Sequence, residues 1–244
     1  MAAWMQQQAE HDTDTSARVD LDYAQFVADR AGALYWPDQQ TLIVADLHLE
    51  KGSSFARFRT HLPPYDTAAT LRQLASLIEI YAPRTVIALG DSVHDRTAWE
   101  RLSKTDREQL VGLIATTTDW IWITGNHDPE PPSGVGGQSL DAITVGPVVM
   151  RHHPGGILAA DQMELAGHLH PAARVIGRGG SARRPAFATD GRRMILPAFG
   201  AYAGGLCLSA KPFRPLFEAE TFTAYVCGRS RVFVVPGKRV LGWT

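Results

Sequence analysis

Residues 41–52 read Thr-Leu-Ile-Val-Ala-Asp-Leu-His-Leu-Glu-Lys-Gly. Thr41–Ala45 is almost wholly apolar, which suits a strand buried on both faces, as parallel strands are. The run passes directly into Asp46 and His48, and a strand's period of two points both side chains the same way. An apolar strand ending in a carboxylate and an imidazole predicts an α/β fold with its chemistry at the carboxyl ends of the strands.

Working outward, the same pattern repeats. Residues 33–36, then Pro37–Gln40, then Thr41–Ala45 read as strand, turn, strand. After two prolines, Asp66 is expected to cap a helix reaching Tyr81, with Leu71, Leu74, Ala75 and Ile78 as its buried stripe. A strand over Thr85–Leu89, a helix over 97–116 and a strand over Trp120–Thr124 follow, and residues 129–137 (PEPPSGVGG) read as a loop. Beyond residue 140, strands are expected at 142–151, 163–167, 173–177, 193–197 and 230–236, with one short helical candidate at Pro154–Ala160. Residues 1–20 are polar and without apolar periodicity, so they read as a flexible N-terminal tail, and 21–244 as a single domain.

Composition narrows the function classes. The 24 basic residues balance 25 acidic ones, so no global positive field draws the chain to nucleic acid or membrane, and any such contact needs a local patch. No run approaches the length of a membrane-spanning helix, and the N-terminus lacks the basic start and apolar core of a secretory signal. Cys207 and Cys227 cannot build a disulfide framework and read as reduced thiols, which places the expectation in the cytoplasm.

Five strand-like runs end in metal-competent residues. They are Asp46-Leu47-His48, Gly90-Asp91, Gly125-Asn126-His127-Asp128, His152-His153-Pro154 and Gly167-His168-Leu169-His170. Carboxylates mixed with imidazoles suit borderline divalent ions such as manganese, iron or zinc. Five such ends offer more ligands than one ion can use, whereas two ions sharing Asp91 would use them all. Any one of these residues, met alone, could equally be a turn residue; the ordered set is what points to chemistry.

The ordered set resembles the calcineurin-like metallophosphoesterase superfamily. Within it, Asp46-Leu47-His48-Leu49-Glu50-Lys51-Gly52, Leu89-Gly90-Asp91-Ser92-Val93-His94-Asp95, Gly167-His168-Leu169-His170-Pro171 and Leu196–Gly205 look like the blocks of the ligase-associated DNA damage response endonucleases called the PdeM family. The likeness covers about residues 30–240. It implies a layered α/β sandwich (αββα) of two mixed β-sheets flanked by helices. It also implies a dinuclear phosphodiesterase or DNA endonuclease acting in repair, by in-line attack of a metal-bridging hydroxide. Carried over, Asp46, His48, Asp91 and His170 hold one ion, and Asp91, Asn126, His152 and His168 the other. His127 is the non-ligand histidine at the reacting phosphate, and Asp128 orients it. The family has a glutamate after the fourth-motif histidine where this chain has His153, so His152 is the expected ligand of the pair. The implied cofactors are two divalent ions, manganese first, with iron, zinc or cobalt as alternatives. The implied partners are DNA, single-stranded or at its ends, a ligase and a helicase, and a second copy of the chain as a homodimer.

Substrate contacts are read from charge. Lys51, Arg57 and Arg59 follow the first motif in a Gly/Ser-containing loop, and His94 follows Asp91 closely. Arg174, Arg178, Arg183, Arg184, Arg192 and Arg193 stand against Asp190 alone and could meet phosphates, although such a run is also how a solvated face looks. A small-molecule phosphodiesterase or nucleotide pyrophosphatase, a phosphomonoesterase, and a catalytically silent binding scaffold are the rival readings.

Overall fold

The computed structural model describes residues 15–57, 65–129, 134–177, 180–217 and 220–240. The apolar run before Asp46 forms β4 (Thr41–Val44), all four residues buried. It pairs in parallel with β5 (Thr85–Leu89), which pairs in parallel with β6 (Asp119–Ile123). Before β4 come three antiparallel strands, β1 (Ser16–Leu21), β2 (Ala24–Asp29) and β3 (Leu34–Trp36). β7 (Gln138–Leu140) closes the sheet beside β6, giving the order β1-β2-β3-β4-β5-β6-β7.

The second sheet is also mixed. Its strands are β8 (Ala142–Val145), β9 (Val148–Arg151), β10 (Met163–Ala166), β11 (Pro171–Gly177), β12 (Gly180–Thr189), β13 (Arg193–Ile195), β14 (Leu206–Cys207), β15 (Thr223–Cys227) and β16 (Val232–Pro236). The central path is β14-β11-β12-β13-β10-β9-β8, with β9, β10 and β13 parallel. β15 pairs with the second half of β12 and with β16.

Alternation along the strands sorts side chains into three apolar layers. Leu34, Ile43, Ile87 and Ile121 of the first sheet meet Val148, Met150, Leu165 and Phe187 of the second, forming the layer between them. On the outer face of the first sheet, Leu42, Val86, Trp120 and Trp122 pack under the helices. Those helices are α1 (Lys51–Arg57), α2 (Asp66–Tyr81), α3 (Ala98–Arg101) and α4 (Lys104–Ala115). The outer face of the second sheet is covered differently. Phe213, Phe217 and Phe222 pack on Ala186, Ala188 and Ile195 there, and among the described residues this cover is a 3-10 helix, Lys211–Leu216, with no α-helix.

The expected two-sheet sandwich is therefore present, with four corrections in its parts. Strand β1 begins at Ser16, inside the stretch read as a tail, because Val19 and Leu21 bury their side chains alternately against β2; residues 1–14 lie outside the described residues. The loop after the first motif is helix α1, and Asp66 is the first residue of α2, where its carboxylate accepts the Gly52 N–H at 2.9 Å. The helix read over 97–116 breaks at Leu102–Ser103, because Ser103 caps α4 by accepting the Asp106 N–H. Pro154–Ala160 is not helical, since Glu164 accepts the Gly155 N–H and Arg193 donates to the Gly156 carbonyl, fixing both in an irregular path.

Candidate metal centre

All five chemistry-bearing ends come together at one end of the sandwich. Asp46 follows β4, Asp91 follows β5 and Asn126 follows β6, while His152 follows β9 and His168 follows β10. Parallel strands point the same way, so two parallel cores facing one another bring these loops into a single cleft. Asp46, His48, Asp91 and His152 are buried, and His170 keeps 19% of its side chain exposed. Backbone closeness supports the arrangement: a Cβ on Gly90 would lie 2.4 Å from the His152 ring, at a φ of +75 that favours glycine.

Two groups of donors form. In the first, His170 Nε2 lies 3.3 Å from Asp46 Oδ1 and 3.2 Å from His48 Nε2. In the second, His152 Nε2 lies 3.3 Å from Asp91 Oδ2, 3.1 Å from Asn126 Oδ1 and 3.2 Å from His168 Nδ1. His152 also joins Asp46 and Asp91 in one close set. Asp91 and Asp46 thus stand between the groups.

The tautomers show what these groups need. His152 Nδ1–H donates to the Leu89 carbonyl at 2.9 Å, and His170 Nδ1–H donates to the Gly204 carbonyl at 3.1 Å. A carbonyl only accepts, so in the neutral ring each Nε2 turns its lone pair toward carboxylate oxygens and further imidazole nitrogens. Acceptors converging on acceptors require a positive charge at their centre. Carbonyl partners of this kind also fix the orientation of metal-binding histidines. The donor set, four imidazoles with two carboxylates and an amide oxygen, fits borderline divalent ions.

The same demand for positive charge shows in the electrostatics, where a proton on His152 meets it. Burial opposes protonation of His152, but its hydrogen bond to Asp91 and the Asp46 and Asp91 charges outweigh burial and raise it to about 9. Burial works to raise Asp91, yet the His152 hydrogen bond and charge, with the His127 N–H, hold its carboxyl well below the usual carboxylate range. Burial, then the neighbouring His170, keep His48 neutral far below the ordinary histidine value. Burial, followed by the charges of His153 and His152, lowers His168 to about 4.

His127 stands at the mouth of the cleft with 40% of its side chain exposed and Nε2 4.0 Å from Asp91 Oδ2. Its backbone N–H donates to Asp91 Oδ1 at 2.9 Å, which ties the imidazole's position to the central carboxylate. The expected Asp128 to His127 hydrogen bond is replaced by another arrangement. Buried Asp128 accepts the Ser92 N–H at 2.7 Å and the Gly125 N–H at 3.0 Å, so it fastens the β5 and β6 loops together. Burial, with the Asp91 charge adding to it, lifts Asp128 to about 7.

Of the two adjacent histidines, His152 is buried between the carboxylates, while His153 is exposed, its ring 3.8 Å from that of His168, and forms a further close donor set with His152 and His168. His94 does reach the centre: its Nδ1 is 3.5 Å from His48 Nδ1, and its ring stacks between Phe55 and His127. Lys51 opens α1 and is half-buried near His48 and His94. Arg57 ends that helix, whereas Arg59 and Arg178 lie outside the described residues. The run of arginines divides. Arg192 holds the Leu158 and Ala159 carbonyls and Arg193 pairs with Glu164, so both are structural, while Arg174 and Arg183 stay on the surface of β11 and β12. Phe55 and the Leu89 and Gly204 carbonyls are contributors that no motif announced; only the Gly204-Gly205 pair offered a signal.

The family model for calcineurin-like phosphoesterases matches residues 40–171, which hold every candidate ligand. No curated protein matches the chain. Among solved structures, the crystal structure of Pseudomonas putida nuclease MPE superposes with a TM-score of 0.69 at 25% identity, over 90% of this chain and 100% of that one. Among the described residues, no helix is long and apolar enough to cross a membrane. With its motifs in one cleft and more than half its length matched, the chain belongs to the calcineurin-like phosphoesterase family and is a metal-dependent phosphoester hydrolase.

Proposed function

We propose that the chain is a dinuclear phosphodiesterase that cleaves DNA. The observation carrying this reading is the pair of donor groups whose lone pairs converge on both sides of Asp91. Asp46, His48, Asp91 and His170 would hold one ion, and Asp91, Asn126, His152 and His168 the other. When bound, two such ions supply Lewis-acid charge to phosphoryl oxygens and make water acidic enough to act at neutral pH.

The chain's own residues would do the rest. The Leu89 and Gly204 carbonyls hold His152 and His170 in the ligand tautomer. His127, pinned through its backbone to Asp91, meets the phosphate from the open side and donates a proton or hydrogen bond to the departing oxygen. Asp128 keeps the His127 loop in register by accepting from Ser92 and Gly125. The nuclease among the structural neighbours supports a nucleic-acid substrate. The motif resemblance to ligase-associated endonucleases extends the proposal to DNA repair in the cytoplasm, beside a ligase and a helicase, with manganese as the ion and a homodimer as the working unit.

Mn²⁺-dependent hydrolysis of bis-p-nitrophenyl phosphate, run beside p-nitrophenyl phosphate with single-stranded DNA as competitor, tests the reading. Diester turnover that DNA suppresses, and that falls by about 10²–10⁴-fold in His127→Ala with metals retained, is the expected result. Turnover indifferent to DNA moves the substrate to a small diester or nucleotide pyrophosphate, and a dominant monoester rate removes the diesterase assignment. Folded protein that hydrolyses neither compound with any divalent ion overturns the reading in favour of a silent scaffold.

A further inference from the structure

β11 and β12 pair antiparallel with Arg174 directly opposite Arg183. Opposed residues of a pair share a face, so the two guanidinium groups project from the same side of the hairpin. Like charges directly opposite one another destabilise a sheet, and among the described residues no salt bridge offsets either arginine. Arg174 donates to the Ser181 hydroxyl at 3.2 Å, and Arg183 donates to the Gly205 carbonyl at 2.8 Å, both neutral partners. Both residues are exposed.

The pair is joined to the metal centre through the chain. Gly205, which takes the Arg183 hydrogen bond, follows Gly204, whose carbonyl orients His170. A cavity of about 280 Å³ opens at this junction, lined by His170, Arg183, Pro185, Ala198 and Gly204 among others. Its walls are uncharged except for Arg183 and the titratable His170. Cys207 lies on the neighbouring strand β14. Its thiol is held below the ordinary value first by the Ser209 hydroxyl and, in the same direction, by Arg183 and Arg174.

We propose that Arg183 and Arg174, with the cavity beside His170, form a subsite for the phosphodiester flanking the scissile one in a nucleic-acid strand. A planar guanidinium fork matches phosphate oxygens, and the proline and alanine walls give room for the sugar without competing for the charge. The inference rests on the phosphodiesterase reading and names what that site holds beyond the reacting bond. The retained like-charge pair is then explained by the anion between the two arginines.

The test uses the full-length Mn²⁺-loaded protein as wild type, Arg174→Gln, Arg183→Gln, and Arg18→Gln as an equal-charge control at an exposed position of β1. Binding of a fluorescent single-stranded phosphorothioate oligonucleotide is read by anisotropy at several salt concentrations. Cleavage of the ordinary oligonucleotide and of bis-p-nitrophenyl phosphate is read alongside. Each subsite variant is expected to weaken oligonucleotide binding by about tenfold. The slope of log K against log salt is expected to flatten by about 0.7 for each phosphate no longer neutralised. The rise in KM for the oligonucleotide should exceed that for the small diester several-fold. Arg174→Gln should also raise Tm by about 1–3 °C, because it relieves the repulsion, an effect opposite to that of removing a structural hydrogen bond.

Wild-type protein that neither binds nor cleaves DNA overturns the subsite and the nuclease reading together. If wild type cleaves DNA but the variants bind it with unchanged affinity and salt slope, or Arg18→Gln weakens it equally, the subsite alone is overturned. A lower Tm with unchanged DNA affinity assigns the arginines to structure and has the same consequence.

Discussion

Gly125→Ala places one methyl group where the metal centre is tightest. Its Cβ would lie 2.3 Å from the Asp91 backbone nitrogen, 2.3 Å from Asp91 Oδ1 and 2.6 Å from Asp128 Oδ1, whereas ordinary contact begins at 3.4 Å. About 1 Å of displacement is needed, and the atoms that must move include backbone. Overpacking of this kind costs about 1–3 kcal/mol. Moving the carboxylates also weakens bonds from the His127 and Gly125 N–H groups, each worth about 1.5–3 kcal/mol to a charged acceptor. A total near 3–5 kcal/mol lowers Tm by about 6–20 °C for a chain of this size. A shift of 1 Å at the reacting geometry also costs about 10²-fold in turnover. Gly112→Ala is the internal control: it sits within α4, and nothing beyond the surrounding helix backbone lies within 4 Å of its Cβ. There the exchange should stabilise the chain by about 0.5–1 kcal/mol. Differential scanning calorimetry and Mn²⁺-dependent diester hydrolysis read both variants. A Gly125→Ala protein with wild-type Tm and rate would show that the β5 and β6 loops are not packed this tightly.

Glu164 is fully buried between Arg151 and Arg193, so Glu164→Ala leaves two guanidinium groups without their carboxylate and should cost about 3 kcal/mol or more. A Tm within a degree of wild type would refute this. Burial pushes the Cys227 thiol up to about 12, whereas the Ser209 hydroxyl lowers Cys207, so iodoacetamide at about pH 8 should label Cys207 alone in native protein and both cysteines in guanidinium. Mass spectrometry showing Cys227 labelled first would contradict the burial. His152→Ala should lose bound metal by elemental analysis and His153→Ala should retain it, and the opposite order would reassign the ligand.

The parts of the fold that were legible in the sequence are those where one physical demand dominates. β4, β5 and β6 are buried on both faces, so they read as unbroken apolar runs, and the candidate ligands could be placed at one cleft because such strands end there. Edge elements answer to several demands at once. β1 buries only Val19 and Leu21 and carries Arg18 and Asp20 outward, so polar composition hid it. β12 contains consecutive arginines and a proline, a run that reads as a solvated face, yet its second half lies between β13 and β15 with Ala186, Phe187 and Ala188 buried. α1 contains Gly52 and two serines and is held by tertiary bonds from Gly52 to Asp66 and from Glu50 to Thr67, which no local propensity reveals.

The backbone at the centre is the part that sequence reading could not reach. Eight non-glycine residues among those described have positive φ. Gln40 and Ala82 are ordinary left-handed helix ends. The other six, Asp46, His48, Glu50, Asp91, His168 and His170, all lie in the ligand loops. Each costs on the order of 1–2 kcal/mol, less where a short polar side chain bonds locally, so the conformation persists only if neighbours impose it. They do so by clasping loop to loop: Asp46 N–H donates to Gly90, His48 N–H to Asp91, Gly167 N–H to His152 and Gly200 N–H to Asp46, all at backbone carbonyls. His168 N–H donates to the Asp46 carboxylate. Each loop is therefore the mould for the next, and a perturbation in one, such as a methyl on Gly125, is transmitted to donors on both sides of Asp91. The same interlocking holds the donor atoms of both groups close together, so little reorganisation is left for binding a cation or for the proposed reaction.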